Sequence, residues 1–314
     1  LDPNNTEITV LLGDTYVAAG ETEKAISILE TQAASCKTDA DEQKLRIALA
    51  AVMYKKGDKA RAGEIFDSLY KSNLNTSAVI VTQMRLLRDD KLYSHIAGKT
   101  KQWYRGHPRD RNAVVTIASQ LAAVNDRQAK SAAEDILLAV LDTDAQCVEA
   151  MNALASLLYS TGRGADAEVI YRRILKLQPE NLLAVNNLAW IMSEEMGKHQ
   201  QALAIVQNGL LMAPDYIDLV DTRGVIYYRL GQFQEAVHDL ARCVELYPAE
   251  TPSLVASHYH LARALAGLGQ KDKAIESFKK ALELNDRIGG LSGTDIAEAS
   301  RILKSLQGEG VSKI

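Results

Sequence analysis

Aromatic residues are scarce in this chain of 314 residues, since they make up 5% of it and include only three Phe and two Trp. A core with so few rings must be built mostly from Ala, Leu, Ile and Val. These residues suit the close approach of helices better than the filling of a large sheet sandwich. The composition therefore favours packed helices.

Cysteine is also rare. The three cysteines, Cys36, Cys147 and Cys243, are odd in number and lie roughly a hundred residues apart, so they have no metal-ligand spacing and imply no disulfide framework. His258 and His260 stand two apart, and on a helix that spacing directs them to different faces. We expect no metal site and no cofactor.

The chain lacks an excess of positive charge and lacks long apolar runs. Its net charge is -4 and its pI is about 5.9, which argues against nucleic acid or an anionic membrane as a partner. No run approaches the roughly 18 apolar residues of a spanning helix, and no signal peptide is recognisable. We expect a soluble protein of the cytoplasm or periplasm, without direct membrane insertion, and the sequence leaves the compartment open.

Catalytic motifs are missing as well. The sequence contains no phosphate-binding loop, no Gly-rich dinucleotide turn and no Ser or Cys nucleophile in a recognisable setting. We therefore predict that the chain is not an enzyme.

What the sequence does contain is an internal repeat of about 34 residues. In the clearest unit, 148–181, the small residues Ala155 and Ala167 occupy one position on each of two predicted helices. Gly162 falls in the turn between them, and Pro179 follows the second helix. Glycine readily ends a helix with a left-handed residue, and proline cannot continue one. The unit predicts a pair of antiparallel helices that cross closely.

The same positions recur in the next three units, whose small first-helix residues are Ala189, Gly224 and Ala262. This pattern resembles the tetratricopeptide repeat (TPR) family. The resemblance implies an all-α, right-handed α-solenoid superhelix of helix-turn-helix repeats over residues 1–286. Residues 287–314 are expected to form a C-terminal capping helix and tail, with Thr294 as the N-cap. Eight repeats are predicted to start near residues 6, 43, 77, 111, 148, 182, 217 and 255.

The third repeat is the most divergent, because Met84 replaces the small residue. Two assignments of the core positions on its second helix are possible. They fall either on Ile96 and Trp103 or, one residue later, on Ala97 and Tyr104. This helix is also basic. Basic residues interleaved with aromatic ones form either a secondary patch that binds an acidic partner or nucleic acid, or a solvated helix end with Trp103 in the core. The patch consists of Lys99, Lys101, Trp103, Tyr104 and Arg105.

The family resemblance implies a concave groove lined by the first helix of each repeat, in which a peptide or a partner helix binds. Asn side chains can pair with a peptide backbone, and aromatic residues can anchor it. The predicted groove residues are Asn152, Tyr159, Asn186, Trp190, Asp218, Asp221, Tyr228, Arg229, Tyr259 and Arg263.

Three alternatives remain open for the function. In the first, the array is the regulatory or substrate-recruiting region of a larger enzyme. In the second, it is a component of an export assembly. In the third, it is a structural protein that self-associates through an open N-terminal edge. The stretch 186–190 looks like bacterial TPR proteins, some of which serve export. We do not expect the chain to bind the acidic C-terminal tails of chaperones. Ser156 and Asp218 occupy positions at which the TPR proteins that bind such tails have Asn and Lys.

Overall fold

The computed structural model describes residues 5–308, and these residues form seventeen α-helices joined by short turns. The prediction of an all-α fold is confirmed. Residues 1–4 of the predicted solenoid and residues 309–314 of the predicted tail lie outside the described range.

The helices alternate between a first and a second helix of successive hairpins. The first helices are α1 (Thr6–Ala18), α3 (Asp39–Lys56), α5 (Ser77–Asp89), α7 (Arg111–Ala122), α9 (Val148–Ser160), α11 (Leu182–Glu194), α13 (Ile217–Arg229) and α15 (Pro252–Gly267). The second helices are α2 (Thr22–Ala34), α4 (Lys59–Lys71), α6 (Tyr93–Gly106), α8 (Arg127–Thr143), α10 (Gly164–Leu177), α12 (His199–Met212), α14 (Phe233–Leu246) and α16 (Lys271–Ile288). The last helix, α17, spans Gly293–Gln307.

The chain divides into two compact units, an N-terminal unit of residues 1–157 and a C-terminal unit of residues 158–314. In the N-terminal unit the first helices α1, α3, α5 and α7 each contact the next. In the C-terminal unit α11, α13 and α15 do the same. Each unit therefore carries its own continuous row of first helices.

Close helix crossings explain the small residues of the repeat. Ala155, Ala189 and Ala262 are all fully buried, with 0% of their surface exposed. At Gly224 on α13, an added Cβ would lie 2.7 Å from Cγ of Leu240 on α14. Even the Cβ of alanine would push α13 and α14 apart at Gly224. The other three repeats accommodate alanine at the equivalent position but leave no exposed room for a larger side chain.

Two turn glycines have the backbone conformation that the repeat predicts. Gly162 and Gly231 follow the first helices α9 and α13 with φ of 77° and 73°. Residues with a Cβ rarely adopt this left-handed region. The backbone N–H of each glycine bonds a carbonyl three residues back, at 3.0 Å in both cases, and so closes the end of its helix.

The last helix α17 covers the final repeat. Its residues Ala299, Ile302 and Leu303 belong to the cluster formed around Tyr259 and Phe278. The predicted N-cap is wrong by two residues, because Ser292 caps the helix and shares a capping box with Asp295. Ser292 can accept from the N–H of Asp295 while the Asp295 carboxylate accepts from the N–H of Ser292, and Thr294 lies already inside the helix.

The divergent third repeat has an unusual packing arrangement. Its second helix α6 packs more extensively against α8 than against its own partner α5. Because α6 is covered from two sides, both readings of its buried face hold. Ile96, Ala97, Trp103 and Tyr104 are each at most 7% exposed.

Candidate partner-binding face

The exposed side of α11, α13 and α15 in the C-terminal unit forms one continuous surface, here called the first-helix face. Eight of the ten predicted groove residues lie on these three helices: Asn186, Trp190, Asp218, Asp221, Tyr228, Arg229, Tyr259 and Arg263. Tyr159 on α9 belongs to the same unit, and Asn152 belongs to the N-terminal unit.

Hydrogen bonds between neighbouring repeats brace this face. Thr222 Oγ1 donates to Asn186 Oδ1 over 2.8 Å. Trp190 Nε1 donates to Tyr159 Oη, also over 2.8 Å. Each bond joins the first helices of consecutive repeats and so helps to hold Asn186 and Trp190 in position.

The two predicted acidic residues act as internal acceptors. Tyr247 Oη donates to Asp218 Oδ1 over 2.6 Å, and Ser257 Oγ donates to Asp221 Oδ1 over 2.5 Å. Burial of the Tyr247 hydroxyl, together with its bond to Asp218, raises the pKa of that tyrosine well above its ordinary value. The carboxylates are therefore already engaged, and they link α13 to α14 and to α15.

The two predicted cations are engaged in the same way. Arg229 pairs with Glu194 through Nε, which lies 3.0 Å from both carboxylate oxygens. This contact raises the pKa of Arg229. The Arg263 guanidinium lies 4.5 Å from the ring centre of Tyr228 and 3.4 Å from the Glu298 carboxylate of α17.

Tyr259 does not belong to the exposed face, which corrects its assignment as a partner contact. Its ring is 1% exposed and packs edge-on against Phe278, with ring centres 6.3 Å apart. Its hydroxyl donates to Glu298 over 3.1 Å, so α17 covers the side from which a partner would approach.

Three predicted side chains remain for a partner to contact. Asn186 has used its oxygen, but its amide nitrogen has no bond to any described residue. The Trp190 ring and the Tyr228 ring are half-buried, and the Tyr228 hydroxyl makes no hydrogen bond within residues 5–308. These groups offer a donor, a hydroxyl and two ring surfaces on a braced support.

The sequence analysis did not predict which residues complete these bonds: Glu194, Thr222, Ser257 and Glu298. A signal for three of them was present. The pairs Asn186–Thr222 and Asp221–Ser257 are each 36 residues apart, and Glu194–Arg229 are 35 apart. Polar residues that recur at about one repeat length on first helices are neighbours in a stacked array.

The predicted basic and aromatic patch lies in the N-terminal unit, and its two rings are not exposed. Trp103 is 7% and Tyr104 is 3% exposed, so both belong to the core around α6. This agrees with the alternative of a solvated helix end with Trp103 in the core. Of its cations, Lys101 lies 4.0 Å from Asp135 on α8. The patch therefore reduces to basic side chains beside a buried indole.

The described residues hold no group of three or more His, Cys, Asp or Glu side chains arranged to bind a metal ion. Between residues 5 and 308, no helix combines the length and the apolar composition needed to cross a membrane.

Four models of the tetratricopeptide repeat match the sequence, at residues 9–43, 121–190, 189–258 and 255–288. A curated relative is the BBSome complex member bbs-4 of Caenorhabditis elegans, which is 26% identical over 98 residues. That match covers 31% of this chain, and the chain spans about a fifth (20%) of that relative's length.

Solved structures of similar fold include PilW, described as a widely conserved type IV pilus biogenesis factor. It is 22% identical with a TM-score of 0.51, over 63% of this chain and 87% of PilW. A tetratricopeptide repeat protein from Parabacteroides merdae is 15% identical with a TM-score of 0.49, over 96% of this chain and 98% of that one. The thermophilic TPR protein TTC0263 of Thermus thermophilus is 22% identical with a TM-score of 0.48, over 62% and 98%.

Proposed function

The chain belongs to the tetratricopeptide repeat family of protein-interaction scaffolds, and from this premise we propose that it holds a peptide or a partner helix on its first-helix face. Residues Asn186, Trp190 and Tyr228 make the contacts. Of the other predicted residues, Tyr159 holds Trp190 and Arg263 contacts the Tyr228 ring.

The observation that carries the proposal is the bracing of the face. Asn186 and Trp190 each bond to the first helix of a neighbouring repeat. The Tyr228 ring contacts the Arg263 guanidinium, 4.5 Å from its centre, and the Phe233 ring, with ring centres 5.8 Å apart. Side chains that are already ordered lose little conformational entropy when a partner binds. A braced and partly exposed set of this kind is suited to binding.

The chemistry of the three side chains indicates how the partner is held. The free amide nitrogen of Asn186 donates to a backbone carbonyl of an extended peptide or of a helix end. Trp190 and Tyr228 supply ring surface, and such residues dominate the binding energy of many interfaces. Because the charges of Arg229 and Arg263 are paired with Glu194 and Glu298 within the chain, we expect these two cations to add little salt dependence to the affinity.

The test is affinity capture of the partner from a native lysate, followed by measurement of its affinity for purified variants. The double variant Trp190→Ala/Tyr228→Ala removes both anchors. If each ring contributes the roughly 2 kcal/mol of an interface hot spot, the two together contribute about 4 kcal/mol and the affinity falls by nearly a thousandfold.

The matched control is Val169→Ala/Leu211→Ala. These two side chains are 68% and 81% exposed on the second helices α10 and α12 of the same unit. The control is expected to bind as the wild type does. Equal binding by the anchor variant, at unchanged helicity, would contradict the proposal.

A further inference from the structure

A cleft of about 310 Å³ lies in the N-terminal unit, where the second helices α4 and α6 form most of its walls. It is formed by α4, by α6, by the turn between α4 and α5, and by Ile80 of α5. Its walls include Asp67, Tyr70, Lys99, Trp103, Gly106 and His107. The volume is at the lower end of ligand pockets, which run from roughly 300 to 1,000 Å³. One large side chain fits here, whereas a dinucleotide or a similar cofactor does not.

The aromatic wall of the cleft is rigidly held. Trp103 Nε1 donates to Asn75 Oδ1 over 3.0 Å, and Asn75 Nδ2 in turn donates to the carbonyl of Tyr70 over 3.2 Å. The His107 ring stacks on the Trp103 ring, with centres 4.4 Å apart and planes 8° from parallel. His107 Nδ1 donates to the Trp103 carbonyl over 3.0 Å, which leaves Nε2 as an acceptor.

The surface beside this wall is positively charged. Lys99 lines the cleft, and Arg105 and Arg109 follow it at the end of α6 and in the next turn. Within residues 5–308 none of these three has a carboxylate within 4.0 Å, whereas Lys101 and Arg111 are paired with acidic residues. On the opposite wall, Asp67 of α4 carries the single negative charge. An anionic ligand group is therefore favoured on the α6 side, and a hydrogen-bond donor is favoured on the α4 side.

We propose that this cleft receives one aromatic side chain from a partner segment that carries acidic residues next to it. The aromatic ring lies against His107 and Trp103, the neighbouring carboxylates face Lys99 and the end of α6, and a backbone N–H of the segment points to Asp67. This docking site is separate from the first-helix face and does not depend on the function proposed for that face.

A nucleic acid fits these features less well than a peptide does. Stacking of successive bases requires a series of ring faces along a groove, whereas this cleft contains one stacked pair, Trp103 and His107. The net charge of the chain is also negative, at -4. A single deep ring contact with local positive charge matches an acidic peptide with one anchor.

Two glycines of α6 allow the cleft to be blocked cleanly. Gly106 lines the cleft, whereas Gly98 does not. A Cβ added at either position meets no atom within 4 Å, and neither glycine has a positive φ. Gly106→Leu is expected to fill the cleft without disturbing the fold, and Gly98→Leu is the matched control on the same helix.

The probe is a fluorescein-labelled peptide in which one Phe is followed by three Glu residues, and its binding is measured by fluorescence anisotropy. We expect the wild type, Gly98→Leu and Trp190→Ala/Tyr228→Ala to bind it equally. Gly106→Leu and Lys99→Glu are each expected to bind at least tenfold more weakly. Replacing the Phe of the peptide by Ala is expected to have a similar effect.

Three results would overturn the proposal. Equal binding by Gly106→Leu and Gly98→Leu would mean that the cleft is not the site. Equal binding of the Phe and Ala peptides would reduce the interaction to charge alone. A fluorescein-labelled oligothymidylate that binds more tightly than the peptide, with the same loss in Gly106→Leu, would identify the ligand as nucleic acid.

Discussion

Replacing Arg223 by Met is expected to lower the free energy of unfolding by about 3 kcal/mol, because it leaves a buried carboxylate without its cation. Asp239 is 2% exposed. Arg223 binds it through two parallel contacts, from Nε to Oδ2 at 2.6 Å and from Nη2 to Oδ1 at 2.9 Å. This pairing raises the pKa of Arg223. His238 approaches the same carboxylate at 3.3 Å, but its side chain is 78% exposed and compensates little.

Urea unfolding followed by circular dichroism measures this loss. The control is the double variant Arg223→Met/Asp239→Leu, which removes both charges and is expected to recover most of the stability. If the single variant unfolds at the wild-type urea concentration, or if the double variant is less stable than the single one, the buried pair does not have the role described.

Truncating Phe278 to Ala is expected to cost about 3–5 kcal/mol, because it opens a cavity in the last repeat. Phe278 is completely buried, with 0% of its surface exposed. Its cluster includes Tyr259 of α15 and Ala299 of α17. The ring therefore connects the final hairpin to the helix that covers it.

The loss at Phe278 should be local, because each element of a repeat array depends on its immediate neighbours. Hydrogen exchange is expected to accelerate first in α17 and then in α15 and α16. Phe278→Leu refills most of the cavity and should retain most of the protection. Unchanged exchange in α17 of the Ala variant would show that this helix is held independently of the ring.

The fold could be predicted from the sequence because the repeat restricts residue size at specific places. Ala189 and Gly224 lie at crossings where a larger side chain collides with the paired helix, and Gly162 requires a left-handed backbone. These constraints act within one hairpin. They are therefore readable from a single chain, and they recur with the period of the repeat.

The candidate site was less predictable, because the exposure of a residue depends on what the neighbouring repeat places against it. Tyr259 occupies a first-helix position like that of Asn186, yet α17 covers it and supplies Glu298 as its hydrogen-bond partner. Asp221 was expected to face a partner, but its oxygen accepts from Ser257 of the next repeat. Such pairings depend on contacts between repeats, and the pattern within one repeat does not contain them.

The irregular third repeat shows the same limit. The sequence allowed two assignments of the buried positions of α6, one residue apart. Both are correct because α8 covers a second side of the helix. Burial of Trp103 and Tyr104 together follows from that packing. An amphipathic pattern assumes a single buried face, so it could not predict a helix that is covered from two directions.

Photo-crosslinking tests the central proposal most directly, since it reports where the captured partner touches the chain. A photoreactive phenylalanine derivative replaces Tyr228 on the first-helix face in one sample and Val169 on the second helix α10 in another. We predict a cross-link to the partner from position 228 and none from position 169. A cross-link from 169 alone, or none from 228 while the partner remains bound, would contradict binding on the first-helix face.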